Sequence, residues 1–231
     1  MHPSAMKHAK LFFETYLADA SATVVDIGAQ DVNGSLRQAC PQSCRYIGVD
    51  FVAGRNVDVV LDDPYVLPFA SQSIDAVVSS SCLEHSELFW LLFLEMLRIL
   101  RPGGLVYLNV PSNGSFHRYP VDCWRFYPDS AKALVTWAKR SGYDALLLEA
   151  FTGRKAKTGN RYEDDWNDFV CVFVCDSSAL PTFPRRILDT YEDFDNGYVH
   201  GREGLLHAQP WPETTRTYFA LLDEMEHARR G

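Results

Sequence analysis

The sequence predicts an α/β protein with a doubly wound, mostly parallel sheet of seven strands, one of them antiparallel. Over the first 140 residues, short apolar runs rich in β-branched residues alternate with segments of helical character. The last two apolar runs, 145–151 and 169–175, have only a polar segment between them, so they must pair antiparallel. Gly28 directly follows the first run and allows a sharp turn at the carboxyl end of that strand.

The helices are predicted from apolar spacing and end signals. Residues 4–19 and 87–100 carry apolar side chains at helical intervals, and Arg101-Pro-Gly-Gly104 ends the second of these helices. A short helix over 35–40 ends before Pro41. We expect Asp129 to cap a helix that continues through Arg140, and a closing helix to cover residues 212–230.

The strands are predicted from short apolar runs. Val24, Val25 and Ile27 are β-branched and directly precede Gly28, which is typical of a buried strand that ends in a turn. The remaining predicted strands are 45–50, 57–61, 74–79, 105–110, 145–151 and 169–175.

Composition bounds the class of protein. A chain of 231 residues with 47% hydrophobic residues can bury one core, which predicts a domain over 1–178 and an extension, 179–231, acting as lid, dimer arm or packing helix. The net charge of −8 argues against a nucleic-acid partner. The N-terminus lacks a signal-peptide core and no apolar run has the length of a membrane span, so we expect a cytoplasmic protein.

The cysteines show no metal-binding spacing. We expect them to be buried free thiols. They are Cys40, Cys44, Cys82, Cys123, Cys171 and Cys175.

The first strand and its turn indicate a nucleoside site. Gly28 allows close approach of a ligand, and Gly34 marks a second tight turn before a helix start. Asp50 ends the next apolar run, where a carboxylate accepts both hydroxyls of an adenosine ribose. A dinucleotide fingerprint would need glycine at position 30, and this chain has Gln30. A nucleoside without a pyrophosphate therefore fits better.

At these residues the sequence resembles the class I S-adenosylmethionine-dependent methyltransferases, over roughly residues 20–176. The similar segments are Val24–Gly34, Tyr46–Asp50, Asp63-Pro-Tyr-Val-Leu-Pro-Phe followed by Ser73-Ile-Asp-Ala-Val-Val, and Leu97-Arg-Ile-Leu-Arg-Pro-Gly-Gly104 followed by Leu-Val-Tyr-Leu. The resemblance implies a Rossmann-like fold and S-adenosylmethionine as cofactor. The implied cofactor-binding residues are Asp26, Gly28, Ala29, Gln30, Gly34, Asp50, Phe51, Asp63, Pro64 and Ser80.

The loops after strands four and five are expected to face the methyl acceptor. The first contains His85, a candidate general base or a contact to the cofactor. The second, residues 111–128, contains His117 as a base and Asp122 as the carboxylate that orients it. The predicted substrate contacts in this loop are Tyr119, Trp124, Arg125 and Tyr127.

Two alternatives for this loop stay open. Trp124 and Phe126 also suit a packing role, and Asp122 with Arg125 suits a structural ion pair. The spacing of His117, Asp122 and Asp165 is not diagnostic of a divalent cation, so no metal site is predicted.

The sequence thus predicts an S-adenosylmethionine-dependent methyltransferase that acts on a hydroxyl or amine of a small molecule. Residues 111–128 resemble bacterial methyltransferases of polysaccharide and glycosylated natural-product pathways, which implies a sugar, nucleotide sugar or glycosylated metabolite as acceptor. The expected partners include no nucleic acid and no membrane, and a homodimer is compatible with the extension. The rival hypotheses are a catalytically silent domain that binds a partner, and a nicotinamide-dependent oxidoreductase.

Overall fold

A sheet of eight strands forms the centre of the part of the chain that the structure describes. The computed structural model describes residues 3–18, 21–154, 166–209 and 213–230. The strands are β1 (Thr23–Ile27), β2 (Arg45–Asp50), β3 (Val59–Val60), β4 (Ile74–Ser80), β5 (Leu100–Pro111), β6 (Ala145–Gly153), β7 (Asp168–Cys175) and β8 (Phe194–Val199).

The strand order in space is β3-β2-β1-β4-β5-β7-β6-β8. Strands β1 to β5 are parallel, with Val24 opposite both Tyr46 of β2 and Ala76 of β4. The order reverses between β1 and β4, so the loops beyond the carboxyl ends of these two strands border the crevice where open α/β sheets bind ligands. The predicted doubly wound, mostly parallel sheet is confirmed.

The predicted hairpin at the end of the sheet is also confirmed, because β7 pairs antiparallel with both β5 and β6. The count of seven strands is wrong by one. Strand β8 adds to the edge at β6 and runs antiparallel to it, with Thr152 opposite Asp195. The residues Asp195-Asn-Gly197 interrupt any apolar alternation, so the sequence of β8 has no strand signature. Its pairing with β6 makes it a strand.

Helices cover both faces of the sheet. They are α1 (Pro3–Tyr16), α2 (Phe89–Ile99) and α3 (Ser130–Arg140), and a further helix, α4 (Glu213–Arg230), follows β8 along the chain. Helices α2 and α3 pack on the face that contains Val25, Val77 and Val106. Helix α1 packs on the opposite face, together with two 3₁₀ turns, Ser177–Thr182 and Ile187–Asp189. Among the described residues no helix has the length and apolar character needed to cross a membrane.

Two helix starts differ from expectation. The segment predicted as a helix over 35–40 is a single 3₁₀ turn, Leu36–Gln38, because Pro41 leaves no room for further turns. Asp129 does not cap α3 with its side chain. Its backbone is already helical, so its carboxylate is directed away from the first N–H groups and instead accepts a hydrogen bond from Lys132 at 3.2 Å.

The six cysteines are all free thiols, as predicted, but they are not all buried. Cys171 on β7 is buried, whereas Cys123 is exposed. Cys123 lies in the loop between β5 and α3, where its backbone N–H donates to the carbonyl of Glu84 at 2.8 Å.

Candidate active site

The turn after β1 packs closely against β2 and against the loop after β4. Gly28 has a φ of +80°, and a Cβ at this position would lie 2.6 Å from Cβ of Cys82, in the loop after β4. The N–H groups of Gly28 and Ala29 both donate to the carbonyl of Val49, at 3.0 and 3.1 Å. Only glycine fits here, since any side chain would collide with Cys82.

The carboxylate of Asp50 is held beside this turn by backbone donors. Asp50 ends β2 and is buried. Its Oδ2 accepts the N–H of Gln30 and its Oδ1 accepts the N–H of Val52, both at 3.1 Å. A carboxylate oxygen accepts two hydrogen bonds, so each oxygen keeps one acceptor position for a ligand. The adjacent Phe51 exposes about half of its surface, 49%, next to this carboxylate.

The other predicted cofactor residues of the turn are fixed by local hydrogen bonds. The carbonyl of Ala29 accepts Nδ2 of Asn56 at 2.9 Å, and the N–H of Gly34 donates to Oδ1 of Asp31 at 2.8 Å. The side chain of Gln30 accepts the hydroxyl of Tyr119 at 3.2 Å. This bond connects the turn after β1, the predicted cofactor turn, to the loop after β5.

Three further residues predicted to bind the cofactor are Asp26, Asp63 and Pro64. Asp63 and Pro64 are exposed in the loop after β3, where Oδ1 of Asp63 accepts the N–H of Tyr65 at 2.8 Å. Asp26 is buried within β1 and accepts a hydrogen bond from the hydroxyl of Tyr46. Burial raises the pKa of Asp26 to about 7.

Ser80, at the end of β4, is buried beside its partner in the ladder, Asn109 of β5. Within the described residues, Oγ of Ser80 and Oδ1 of Asn109 are buried and have no hydrogen-bond partner. Buried polar atoms of this kind need a partner such as a ligand or water. Asn109 was missed by sequence reasoning, although a single amide inside the apolar run 105–110 was a usable signal.

A 3₁₀ turn after β4, Leu83–His85, carries two titratable residues. Nδ1 of His85 donates to the carbonyl of Val121 at 2.5 Å, so in the neutral ring Nε2 is an acceptor. Burial lowers the pKa of His85. Glu84 is 1% exposed, and burial raises its pKa to about 8. Glu84 is not among the site residues predicted from the sequence.

The loop between β5 and α3 is organised around Asp122. Its carboxylate binds Arg125 in a bidentate pair, at 2.6 and 2.9 Å, and accepts the N–H of His117 at 2.7 Å. The pair with Arg125 lowers the pKa of Asp122 to about 2. Nδ1 of His117 lies 3.5 Å from the same carboxylate and 3.2 Å from the carbonyl of Ser115. The imidazole and its expected orienting group are therefore adjacent, and the ion pair considered as the alternative also forms.

The aromatic residues of this loop include Phe126, which is buried in the core as the packing alternative expected, and Trp124, which is 36% exposed. Nε1 of Trp124 donates to the carbonyl of Ser86 at 2.9 Å, and its ring meets Phe89 edge-on. Tyr119 and Tyr127 are exposed.

The structure thus brings together three predicted catalytic residues from two loops. The rings of His85 and His117 stand edge to face, with centroids 4.9 Å apart, and Asp122 lies behind His117. Trp166, another residue that sequence reasoning missed, closes the far side, since its ring contacts His117 edge-on at 5.0 Å. Gly114 allows this contact, because a Cβ there would lie 2.1 Å from the Trp166 ring.

Comparison with known protein sequences identifies similar proteins. Residues 9–108 match a family described as a methyltransferase domain. An uncharacterized methyltransferase of Mycobacterium avium is 27% identical over 175 residues, which is 75% of this chain and 61% of that protein. An uncharacterized methyltransferase of Mycobacterium leprae is 49% identical over 117 residues, 43% of each chain. The chain spans 61%, 31% and 56% of the length of three similar curated proteins, less than two thirds in each case.

Solved structures share the fold at low sequence identity. The 1,6-didemethyltoxoflavin-N1-methyltransferase of Burkholderia thailandensis, crystallised with 1,6-didemethyltoxoflavin and S-adenosylhomocysteine, has a TM-score of 0.53 and 16% identity. That alignment covers 75% of this chain and 79% of the other. A SAM-dependent methyltransferase from Archaeoglobus fulgidus has a TM-score of 0.51 and 17% identity, covering 73% and 94%.

Proposed function

We propose that this chain, residues 9–108 of which match a family described as a methyltransferase domain, transfers the methyl group of S-adenosylmethionine to a small molecule. The acceptor atom is a hydroxyl, or an amine, of a sugar, nucleotide sugar or glycosylated metabolite. A cytoplasmic role in polysaccharide biosynthesis and a homodimeric state belong to the same proposal.

The observation that carries the proposal is the carboxylate of Asp50, held beside the Gly28 turn with one acceptor position left on each oxygen. Two adjacent ribose hydroxyls match these two positions. Phe51 presents an exposed ring for the adenine, and Ser80 presents a buried hydroxyl without a partner among the described residues. These groups fit S-adenosylmethionine, which supplies a methyl group activated by its sulfonium.

The acceptor side supports a small, ring-containing molecule. The rings of Tyr119 and Tyr127 are 55% and 45% exposed, and such flat apolar faces stack on sugar rings and heterocycles. Tyr119 also donates to Gln30, which places this loop next to the cofactor turn. Methyl transfer requires that the donor and the acceptor be aligned in line and that water be excluded. A loop next to the cofactor can hold the acceptor in that position.

Proton removal from a hydroxyl acceptor is assigned to His117, with His85 as the other candidate. His117 exposes 41% of its side chain, so an acceptor can reach the ring. The carboxylate of Asp122, 3.5 Å from Nδ1, favours the tautomer with the proton on Nδ1, which leaves Nε2 to accept a proton.

The first test is calorimetric titration of the purified protein with S-adenosylmethionine, S-adenosylhomocysteine and NAD in parallel. We expect saturable binding of the first two and none of NAD, because Gln30 stands where a dinucleotide fingerprint has glycine. Acceptors are then sought by measuring S-adenosylhomocysteine release with sugars and nucleotide sugars. Binding of NAD alone would identify an oxidoreductase, and binding of none of the three would favour a silent partner-binding domain.

The variant Asp50→Ala tests the ribose contact. Loss of two hydrogen bonds to a charged acceptor should weaken S-adenosylhomocysteine binding by on the order of 100-fold or more. The matched control is Asp223→Ala, which removes an exposed carboxylate from α4 and should leave the affinity unchanged. Wild-type affinity in a folded Asp50→Ala variant would overturn the assignment of this site.

A further inference from the structure

A cluster of three potential metal ligands lies where the loops after β4 and β5 meet. Glu84, His85 and His117 each offer one ligand atom, and these atoms lie within 4.8 Å of one another. From the sequence, a metal site was considered only for His117, Asp122 and Asp165 and was not predicted. Glu84 and His85 are separated from His117 by more than thirty residues, and no local spacing connects them. Folding of the β5–α3 loop over the turn after β4 brings them together.

The hydrogen bonds of His85 leave two acceptors facing each other. Nδ1 of His85 donates its proton to the carbonyl of Val121, so Nε2 of the neutral ring carries a lone pair. That atom lies 3.7 Å from Oε1 of Glu84. An ionised carboxylate has no hydrogen to donate, so a proton or a cation between these two atoms is needed to make the contact favourable.

Glu84 supplies an independent indication. Its side chain is 2% exposed, and Oε2 has no hydrogen-bond partner among the described residues. A buried carboxylate oxygen without a partner is costly, and metal coordination is one of the few ways to offset that cost. Among the described residues, the nearby guanidinium of Arg125 binds both oxygens of Asp122 and donates no hydrogen bond to Oε2 of Glu84, although its Nε is also buried without a partner.

The outer partners of the two imidazoles match those of metal-bound histidines. In metal sites the second ring nitrogen normally donates to a backbone carbonyl or a carboxylate, which orients the ring and fixes its tautomer. His85 has the carbonyl of Val121 in this position. His117 has the carbonyl of Ser115 at 3.2 Å and the carboxylate of Asp122 at 3.5 Å from Nδ1.

We propose that Glu84, His85 and His117 bind a divalent transition-metal ion of the Zn²⁺, Co²⁺ or Mn²⁺ type. Two imidazoles and one carboxylate suit these ions better than Mg²⁺ or Ca²⁺, which prefer oxygen ligands. Tetrahedral bonds of about 2 Å place ligand atoms roughly 3.3 Å apart, so the widest separation must shorten by about 1.5 Å. His117 lies on a partly exposed loop, so a small shift of that loop achieves this.

Three protein ligands leave at least one coordination position open, next to the exposed rings of the acceptor loop. A hydroxyl bound at that position would release its proton to solvent water more readily, because the cation would stabilise the alkoxide. In the metal-loaded protein this effect replaces proton removal by His117, since an imidazole bound to metal through Nε2 cannot accept a proton there. This consequence rests on the proposed methyl transfer, whereas metal binding itself does not.

The test is titration of the EDTA-treated full chain with CoCl₂, followed by visible absorption, and with ZnCl₂, followed by calorimetry. We expect one ion per chain. Each of Glu84→Gln, His85→Gln and His117→Gln should weaken binding by about 100-fold or more, since each removes a direct ligand and even outer partners are worth 10–100-fold. The control variant His227→Gln changes an exposed histidine of α4 and should bind like the wild type.

A second control addresses the exposed thiol near the site. Cys123→Ser should leave the stoichiometry and affinity unchanged, because Cys123 is not part of the cluster. Equal binding by wild type and the three ligand variants, or loss of binding in Cys123→Ser, would show adventitious binding and overturn the proposal. Absence of one-to-one binding in the wild type would also overturn the proposal. A proton would then be the group between Glu84 and His85.

Titration of the same samples with S-adenosylhomocysteine separates this proposal from the proposed function. If S-adenosylhomocysteine binds and Zn²⁺ does not, the metal site fails and the cofactor site stands. If Zn²⁺ binds and S-adenosylhomocysteine does not, the metal site stands and the methyltransferase proposal fails. S-Adenosylhomocysteine binding also verifies the fold of each variant, and His117→Gln is the variant that alters only a surface loop.

Discussion

Two carboxylates of this protein have opposite pKa shifts, and their immediate neighbours explain the difference. Asp26 is buried in β1, where the hydroxyl of Tyr46 donates to it, and burial raises its pKa to about 7. Asp122 is buried as well, but the guanidinium of Arg125 pairs with both of its oxygens and lowers its pKa to about 2. Burial alone favours the neutral acid, whereas burial with a bidentate cation favours the carboxylate.

The raised pKa of Asp26 predicts a specific dependence of stability on pH. The folded protein holds a proton that the unfolded chain releases above the ordinary aspartate pKa of 3.8, so this contribution to stability is lost as pH rises to about 7. In Asp26→Asn this loss disappears. Relative to wild type, the free energy of unfolding of the variant should rise by up to about 4 kcal/mol between pH 4 and pH 8.

Urea denaturation across this pH range, without added cofactor, measures the effect. The control is Asp129→Asn, which changes a carboxylate that is 90% exposed and should show a pH dependence parallel to that of the wild type. Parallel curves for Asp26→Asn and wild type would contradict the raised pKa.

At the scale of elements, the β5–α3 loop is held in place by polar contacts that converge on Asp122. This carboxylate joins His117 to Arg125, and Arg125 also donates to the carbonyl of Ser115 at 3.0 Å. A second attachment, from Tyr119 to Gln30, connects the loop to the cofactor turn. The loop therefore has a defined conformation although it contains no regular secondary structure between β5 and α3.

We predict that Asp122→Asn loosens this loop. The substitution leaves Arg125, which is 20% exposed, without an anionic partner, so local opening should become easier by about 3 kcal/mol. Hydrogen exchange of the backbone amides of residues 112–128 at pH 7 measures this change in the free energy of local opening. Exchange in β1 and β2 should stay unchanged. The low pKa of Asp122 means that in the wild type this contribution persists above pH 4 and is lost as pH falls towards 2.

Tyr119→Phe removes a single exposed hydrogen bond. It should change the free energy of local opening of the loop, measured by hydrogen exchange, by about 1 kcal/mol or less. An Asp122→Asn effect no larger than this would show that the ion pair does not hold the loop.

At the scale of the whole molecule, Glu149 links three distant parts of the chain. Within β6 its buried carboxylate accepts the hydroxyl of Tyr16 from α1 at 2.5 Å. It also accepts the backbone N–H groups of Ile187 and Leu188, at 2.8 and 3.0 Å, from the segment that follows β7. The N-terminal helix, the sheet and the segment leading to β8 therefore share one acceptor.

We expect Glu149→Gln to lower the stability of the whole protein and not of one segment alone. The amide group of glutamine would direct N–H hydrogens at backbone N–H groups, which leaves buried donors unpaired at a cost of about 2–3 kcal/mol. For a chain of this size, this cost lowers the midpoint of thermal unfolding by roughly 5–10 °C. Differential scanning calorimetry should show one shifted transition, and Tyr16→Phe, which removes one donor, should shift it less.

A separate low-temperature transition in Glu149→Gln would mean that the segment after β7 unfolds independently. That outcome would support the predicted boundary near residue 178, which remains a prediction.

The sequence by itself determined the elements whose signals are local. The apolar runs of β1, β2 and β4, the turn at Gly28 and the carboxylate of Asp50 follow from periodicity and from the steric freedom of glycine. The final hairpin follows from connectivity, because strands without a crossover helix pair antiparallel. The family resemblance rests on the same local segments, and the match over residues 9–108 confirms it.

Only the tertiary structure decided what depends on contacts between distant segments. β8 becomes a strand by pairing with β6. Glu84 and His117 become neighbours when one loop folds over another, and Gln30 meets Tyr119 in the same way. None of these segments carries a signal for its partner, because the partner lies tens of residues away and the free energy of the contact exists only once the sheet has formed.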